Sequence, residues 1–184
     1  MEITFRSLVT IFHGMGFGAL FLLAFSGVMF ELGRAEQGRA APASERPMRI
    51  YLVTMTLLAW LTVLSGAYII YPWYRAVAPA GTANLSAYPQ LFLKESPETI
   101  GWHSFFMEWK EHIAWLAPIS ITMIAAIYIH YGHQLRSQRA LRRAVLAFVA
   151  IAFFAAAIAG FSGAMIDKYA PVHGGHLFHL YHGA

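Results

Sequence analysis

The sequence predicts an all-α integral membrane protein, an antiparallel bundle of four transmembrane helices with a helical extension of the third span. Three observations carry this. Of 184 residues, 58% are hydrophobic and 12% charged, about half the charged share of an ordinary soluble domain. The charges avoid four apolar stretches, near 8–31, 50–73, 112–132 and 144–166, each close to or above the roughly 20 residues that carry a helix through about 30 Å of hydrocarbon. Runs such as AVLAFVAIAFFAAAI do not alternate apolar with polar residues, which excludes the strands of a membrane barrel. Backbone groups in lipid must then be satisfied within each segment, as a helix does. A single membrane domain covers 1–184.

The first span, Leu8 to Phe30, contains His13 as its only ionisable group. It is too long for a secretory signal core, and Glu2 with a single Arg6 makes a poor basic leader, so it reads as a mature helix. The second span ends in Tyr71, Trp73 and Tyr74, expected as an aromatic belt. Arg34, Arg39, Arg46 and Arg49 lie between spans one and two, and Arg136, Arg139, Arg142 and Arg143 between spans three and four. The positive-inside rule makes both loops cytoplasmic and puts both termini outside, in an orientation that suits a bacterial inner membrane. Basic residues at span ends, with none along one face, exclude nucleic acid as a partner. The expected partners are the lipid bilayer and other membrane subunits.

With no cysteine, the chain holds no disulfide, no iron–sulfur cluster of its own and no covalently attached c-type haem. No serine or cysteine nucleophile constellation and no HEXXH pair is present, so a non-catalytic subunit is expected over a stand-alone enzyme. Glu108, Glu111, His112 and His103 suggest a di-metal carboxylate site, but the second Glu-x-x-His helix is missing.

The outer segment 74–111 begins with an irregular loop over 75–95. Ser96-Pro97-Glu98 supplies an N-cap, a first-turn proline and an early acid, and predicts a helix start. Unbroken to Gly132, that helix would extend about 50 Å, so it must project outward or bend, with Pro118 as the bend point. Trp102, Phe105, Phe106, Trp109 and Ile113 define an apolar face. His112 shares that face, and His103, half a turn out of phase, points away. His112 is therefore expected inward, with Glu108 one turn before it orienting its imidazole.

His13 lies one to two turns inside the first span, where an ionisable group is by default a functional hypothesis. Its face continues through Gly16, which leaves room beside the helix for something broad and flat. Gly14 and Gly18 also form a GxxxG pattern that ordinary helix packing explains. Spans one and three both run inward from the outer side, which puts His13 and His112 at similar depth. Two inward imidazoles at one level with aromatic walls are what a bundle needs to clamp haem b, and Arg75, Lys110 and Lys168 near the rim suit its propionates. The alternatives are hydrogen bonds across helices or a chlorophyll-type pigment on either histidine. His130, five turns below His112, marks a second haem position near the inner surface, with only the thioethers of Met48 and Met55 to complete it; an interfacial residue reaching water is the plainer reading.

The tail 167–184 carries His173, His176, His179 and His182 at a constant spacing of three. Such a tract suits zinc or copper, although Gly174 and Gly175 break any helix there. A solvated extension is the expected form.

With these two histidines in four spans, the chain resembles the small four-helix membrane b-type cytochromes that serve as haem-bearing subunits of respiratory or photosynthetic electron-transfer complexes. The resemblance is architectural. It departs from the diheme pattern of two histidines on each of two helices, and it implies electron transfer near the outer face, with a quinone as the small-molecule partner. The contrasting expectation is a cofactor-free accessory subunit whose small-residue face, including Ala156, Gly160 and Ala164, binds helices of a larger complex.

Overall fold

The computed structural model describes residues 2–36 and 45–179. His182 and Arg39 lie outside them. Four helices long and apolar enough to cross a membrane cover Phe5–Glu31, Arg46–Tyr74, Trp102–Gly132 and Arg139–Tyr169. Each continues past its apolar stretch into flanking arginines, tyrosines or tryptophans, whose stems and rings extend the helix to the level where polar tips meet water.

The chain is mostly helical, with one short exception. Glu2–Thr4 (β1) pairs antiparallel with Leu177–His179 (β2), Ile3 opposite Phe178. The Phe5 amide donates to the His176 carbonyl at 2.8 Å and the Arg6 amide to that of Gly174 at 3.1 Å. These are first-turn amides with no partner inside their own helix, and the tail supplies the acceptors. Gly174 (φ 114°) and Gly175 (φ 82°) give the reversal that brings the strand back, a backbone region open to glycine. The expected solvated tail is thus, through residue 179, a clasp on the N-terminus. It also marks one end of the bundle, the terminal end; the opposite one, with Arg46 and Arg142, is the arginine end.

Lipid tails are as apolar as leucine, so packing between such helices relies on close approach and hydrogen bonds. The core divides into two layers accordingly. Toward the arginine end, Phe21, Phe25, Leu52, Met55, Ile121, Ile124, Val149 and Ala152 form a continuous apolar cluster, with Phe25 edge-on to both Phe21 and Phe153. Buried Ala152, Ala155, Ala159 and Ser162 line the inward face of the fourth span, where small side chains admit the neighbouring helices. Toward the terminal end a smaller cluster gathers Ile70, Tyr74, Leu93, Met107 and Ile166. Phe12, Leu23, Leu57, Phe154 and Phe161 are exposed, the disposition of a lipid-facing surface.

Three spans depart from α-helical winding, at Phe12–Ala19, Gly66–Ile70 and Trp102–Met107, where the turns are π-helical. Such wide turns insert an extra residue and are frequent at functional sites. The third span also breaks at Ala114–Trp115. Pro118 has no N–H for the Ala114 carbonyl, which instead accepts from the Ala117 amide at 3.3 Å; the hydrogen-bond ladder is interrupted there while Ala114 and Trp115 keep helical φ/ψ, and the kink in this helix falls at Tyr131. The connector differs from expectation in one respect: Pro89–Glu95 forms a short helix with proline in its first turn. The Ser96 hydroxyl accepts from the Glu98 amide at 3.2 Å, but this caps a turn, and the helix itself begins at Ile100.

Candidate functional site

His103 is 5% exposed. Its Nδ1 lies 2.9 Å from the hydroxyl of Tyr74, itself 1% exposed. On the other side of the ring, Nε2 lies 3.4 Å from the Gln90 amide nitrogen and 3.9 Å from the Glu108 carboxylate. Gln90 donating to Nε2 fits the tautomer in which Nδ1–H donates to Tyr74. Second span, connector helix and third span thus meet on one imidazole.

This reverses the expected orientation of the two histidines. His112 is exposed, and its Nδ1 lies 2.6 Å from the backbone carbonyl of Glu108. Glu108 orients His112 through its main chain, while its carboxylate turns toward His103. The physical reason is that an apolar stripe on a membrane helix is attracted to lipid as readily as to the core. Phe105 (59% exposed) and Trp109 face outward, and the opposite face, with His103 and Met107 buried, packs inside. The π turns at 102–107 also shift the phase that uniform 3.6-residue winding assigns.

Below His103, the Tyr71 hydroxyl donates to Glu111 Oε2 at 2.7 Å and accepts from Arg75 Nη1. Arg75, expected beside a haem propionate, instead covers the Tyr71 ring. Glu111 Oε1 is buried and has no hydrogen-bond partner among the described residues. Lys110 is not at the rim either. It turns against the fourth span, where a Cβ on Gly163 would stand 3.1 Å from its Nζ, and Asp167 and Glu111 are the acids whose charge bears on it.

His13 completes the group from the first span. Its Nδ1 lies 3.0 Å from the Ser65 hydroxyl, and the ring rests on Gly66, whose Cβ, if present, would come within 2.8 Å of Cε1. Ser65 immediately precedes the π segment of the second span and His13 sits inside that of the first. From Tyr74 down to Ser65 the polar cluster extends about 13 Å at helical rise. All four spans contribute; the π segments at 66–70 and 102–107 fall within its depth, and the one at 12–19 starts at its lower edge.

The residues do not fit a haem held between His13 and His112. The His13 ring is flush with the second span, and His112 lies about 200° around the helix from Lys110, whose charge acts on His13. A Cβ on Gly16 would meet the Phe12 side chain of its own helix at 3.4 Å and no atom of a neighbouring span within 4 Å. His130 is exposed near Tyr131, away from the cluster. In the tail, His173 lies 3.3 Å from the Ser7 hydroxyl and His179 3.0 Å from Glu2 Oε1; a spacing of three on an extended segment sends successive side chains to opposite faces. Among the described residues, no group of three or more histidine or acidic side chains is placed to hold a metal ion. No family model, curated protein or solved structure matches the chain.

Sequence reasoning missed Tyr71, Tyr74, Gln90, Ser65 and Asp167. A signal for two of them existed: Tyr71 and Tyr74 are three apart, on one helix face, more selective than a belt requires.

Proposed function

We propose that the protein is a membrane subunit of an electron-transfer complex whose own contribution is an acid–base cluster exchanging protons with the outer compartment. The observation that carries this is the gathering of His13, Tyr71, Tyr74, His103, Glu108, Lys110 and Glu111 in one half of the bundle, while the core of the other half is largely apolar. Ionisable groups inside a bundle mark ion and proton pathways. In this reading the positive-inside rule makes the arginine loops cytoplasmic, with the terminal end and its cluster on the outer side. The redox context comes from the architectural resemblance to membrane cytochrome subunits and is carried by the neighbouring subunits in this reading.

The competing reading gives this chain its own haem b. It has His13 with its Nδ1 already fixed by Ser65, as a second-shell bond fixes a ligating imidazole, and needs an axial ligand from a partner subunit. One preparation separates the two. The chain is affinity-purified from native membranes with its partners, and reduced-minus-oxidised spectra are taken of the complex and of the isolated chain. Proton release at the outer face is followed in vesicles. We expect a haem spectrum of the complex that His13→Ala leaves unchanged, none in the isolated chain, and slower proton release with His103→Ala. A haem spectrum that His13→Ala alters, haem in the isolated chain, or unaltered proton release overturns the proposal.

A further inference from the structure

We propose that Glu111 is the proton-holding group of this cluster and that Tyr71, flanked by Arg75, is its gate to outer water. The inference deepens the acid–base reading and rests on it. Three geometric facts carry it: the buried Oε1 without a partner, the 2.7 Å bond from the Tyr71 hydroxyl to Oε2, and the bond from Arg75, an exposed residue, to the same hydroxyl oxygen.

A carboxylate offers about four acceptor sites, and buried polar atoms are normally all partnered. Glu111 uses one oxygen and leaves the other bare. That is a poor seat for a permanent ion pair and a good one for a group that alternates between acid and carboxylate. Glu111 as a whole is half-buried, and a charge held partly out of water without full pairing is disfavoured, whereas a proton on the carboxyl removes the charge.

The transfer balances with no other reactant than water. On loading, the Tyr71 hydroxyl proton moves to Glu111 Oε2 as an outer hydronium returns a proton to the Tyr71 oxygen. On release, the acid proton passes to that oxygen as the hydroxyl proton leaves to water. Tyr71 is unchanged after each cycle. Arg75 does not carry the proton, since guanidinium stays charged; its role is to hold the hydroxyl and to offset the carboxylate left behind.

The charged and titratable groups around Glu111 come from every packed element. Tyr71, Tyr74 and Arg75 face it from the second span, and Glu108, Lys110 and His112 share its helix. Asp167 of the fourth span and His13 of the first act through Lys110. Lys110, the preceding residue, turns against the fourth span at Gly163, and the largely apolar layer toward the arginine end opposes onward transfer of a proton. Exchange is therefore outward only.

Infrared spectroscopy on the isolated full chain in lipid nanodiscs tests this, as a function of pH and after transfer to heavy water. We expect a titrating carboxyl carbonyl band that disappears in Glu111→Gln and persists in Glu108→Gln. In Tyr71→Phe the band should remain and its deuterium exchange should slow by about tenfold or more, the equivalent of 1.4 kcal/mol on the barrier. A titrating band indifferent to Glu111→Gln, or exchange that is as fast without the Tyr71 hydroxyl, overturns the inference. Because the exchange is read without partner subunits, its failure is distinct from failure of the vesicle assay, in which His103→Ala reports on the cluster as a whole.

Discussion

Replacing His103 with alanine should be costly and replacing His112 should not. His103 is buried between Tyr74 and Gln90, and its loss leaves the Tyr74 hydroxyl unpaired at a cost of about 1–3 kcal/mol. Tyr74→Phe strands the imidazole instead and should cost a similar amount. His112→Ala removes an exposed ring bonded to its own helix and should stay within about 0.5 kcal/mol of the native protein. Thermal unfolding in detergent checks all three, and an ordering with His112 as the most sensitive position would refute the buried-His103 geometry. At this scale the sequence exposed the cast but not the roles. His13, Glu108, Lys110 and His112 stood out as ionisable residues in or beside apolar runs. Which of them turned inward depended on whether the Phe105–Trp109 stripe sought lipid or core, and periodicity reports only that a stripe exists.

The helices themselves were legible because their length and apolarity are set by bilayer thickness, and the Pro118 break because a missing N–H is written in the residue type. The π turns were not, since no residue type demands them. They matter because each rotates what precedes it. Deleting Ser104 should let the 102–107 segment wind as an α-helix and turn His103 about 100° away from Tyr74. The expected outcome is a His103 that reacts with diethyl pyrocarbonate, while Ser104→Ala, which keeps the residue count, leaves it protected. Equal protection in both variants would show that the π segment does not set the orientation of His103. A related dependence joins spans one and two. A methyl added by Gly66→Ala meets the His13 ring at 2.8 Å, so it should break the His13–Ser65 bond and loosen that pair of helices, read as a lower unfolding temperature that Ser65→Ala on its own does not match.

The clasp links the ends of the whole chain. Truncation after Val172 removes the acceptors of the Phe5 and Arg6 amides and the Glu2–His179 pair, so those amides should exchange with heavy water at rates near those of a frayed terminus. Membrane insertion should be unaffected, because all four spans precede the cut. Protection of Phe5 and Arg6 that survives truncation would show that the tail is not their partner. The tail's histidines looked like a metal tract in sequence because spacing was visible and the strand pairing was not; pairing joins residues 2–4 to 177–179, and nothing local announces so distant a contact.

Across its full depth, the bundle sets a half rich in ionisable side chains against a largely apolar one, and under the acid–base proposal this contrast makes a prediction for the isolated chain. From Ala59 to Met48 the buried second-span positions are apolar and pack on Phe21, Phe25, Ile121, Ile124, Val149 and Ala152. Over eleven residues that is about 16 Å of helix, and the polar side chains at this depth, the Tyr51 hydroxyl and the Trp60–Thr122 pair among them, are bonded within the bundle, which leaves water little to join. Proteoliposomes of the isolated chain should therefore hold an imposed pH gradient as tightly as empty ones. Opening the layer with Met55→Asp or Phe25→Asp should raise proton leakage if these side chains are the barrier. Ser44→Cys, in the first arginine loop, should label from the cytoplasmic side in cells, which orients the polar half outward. A wild-type chain that conducts protons would mean that the cluster continues through the apolar layer, and labelling of Ser44→Cys from outside would turn the cluster toward the cytoplasm. With both outcomes as expected, protons enter and leave this chain by the face that carries its termini, and any charge movement across the remaining depth belongs to the subunits around it.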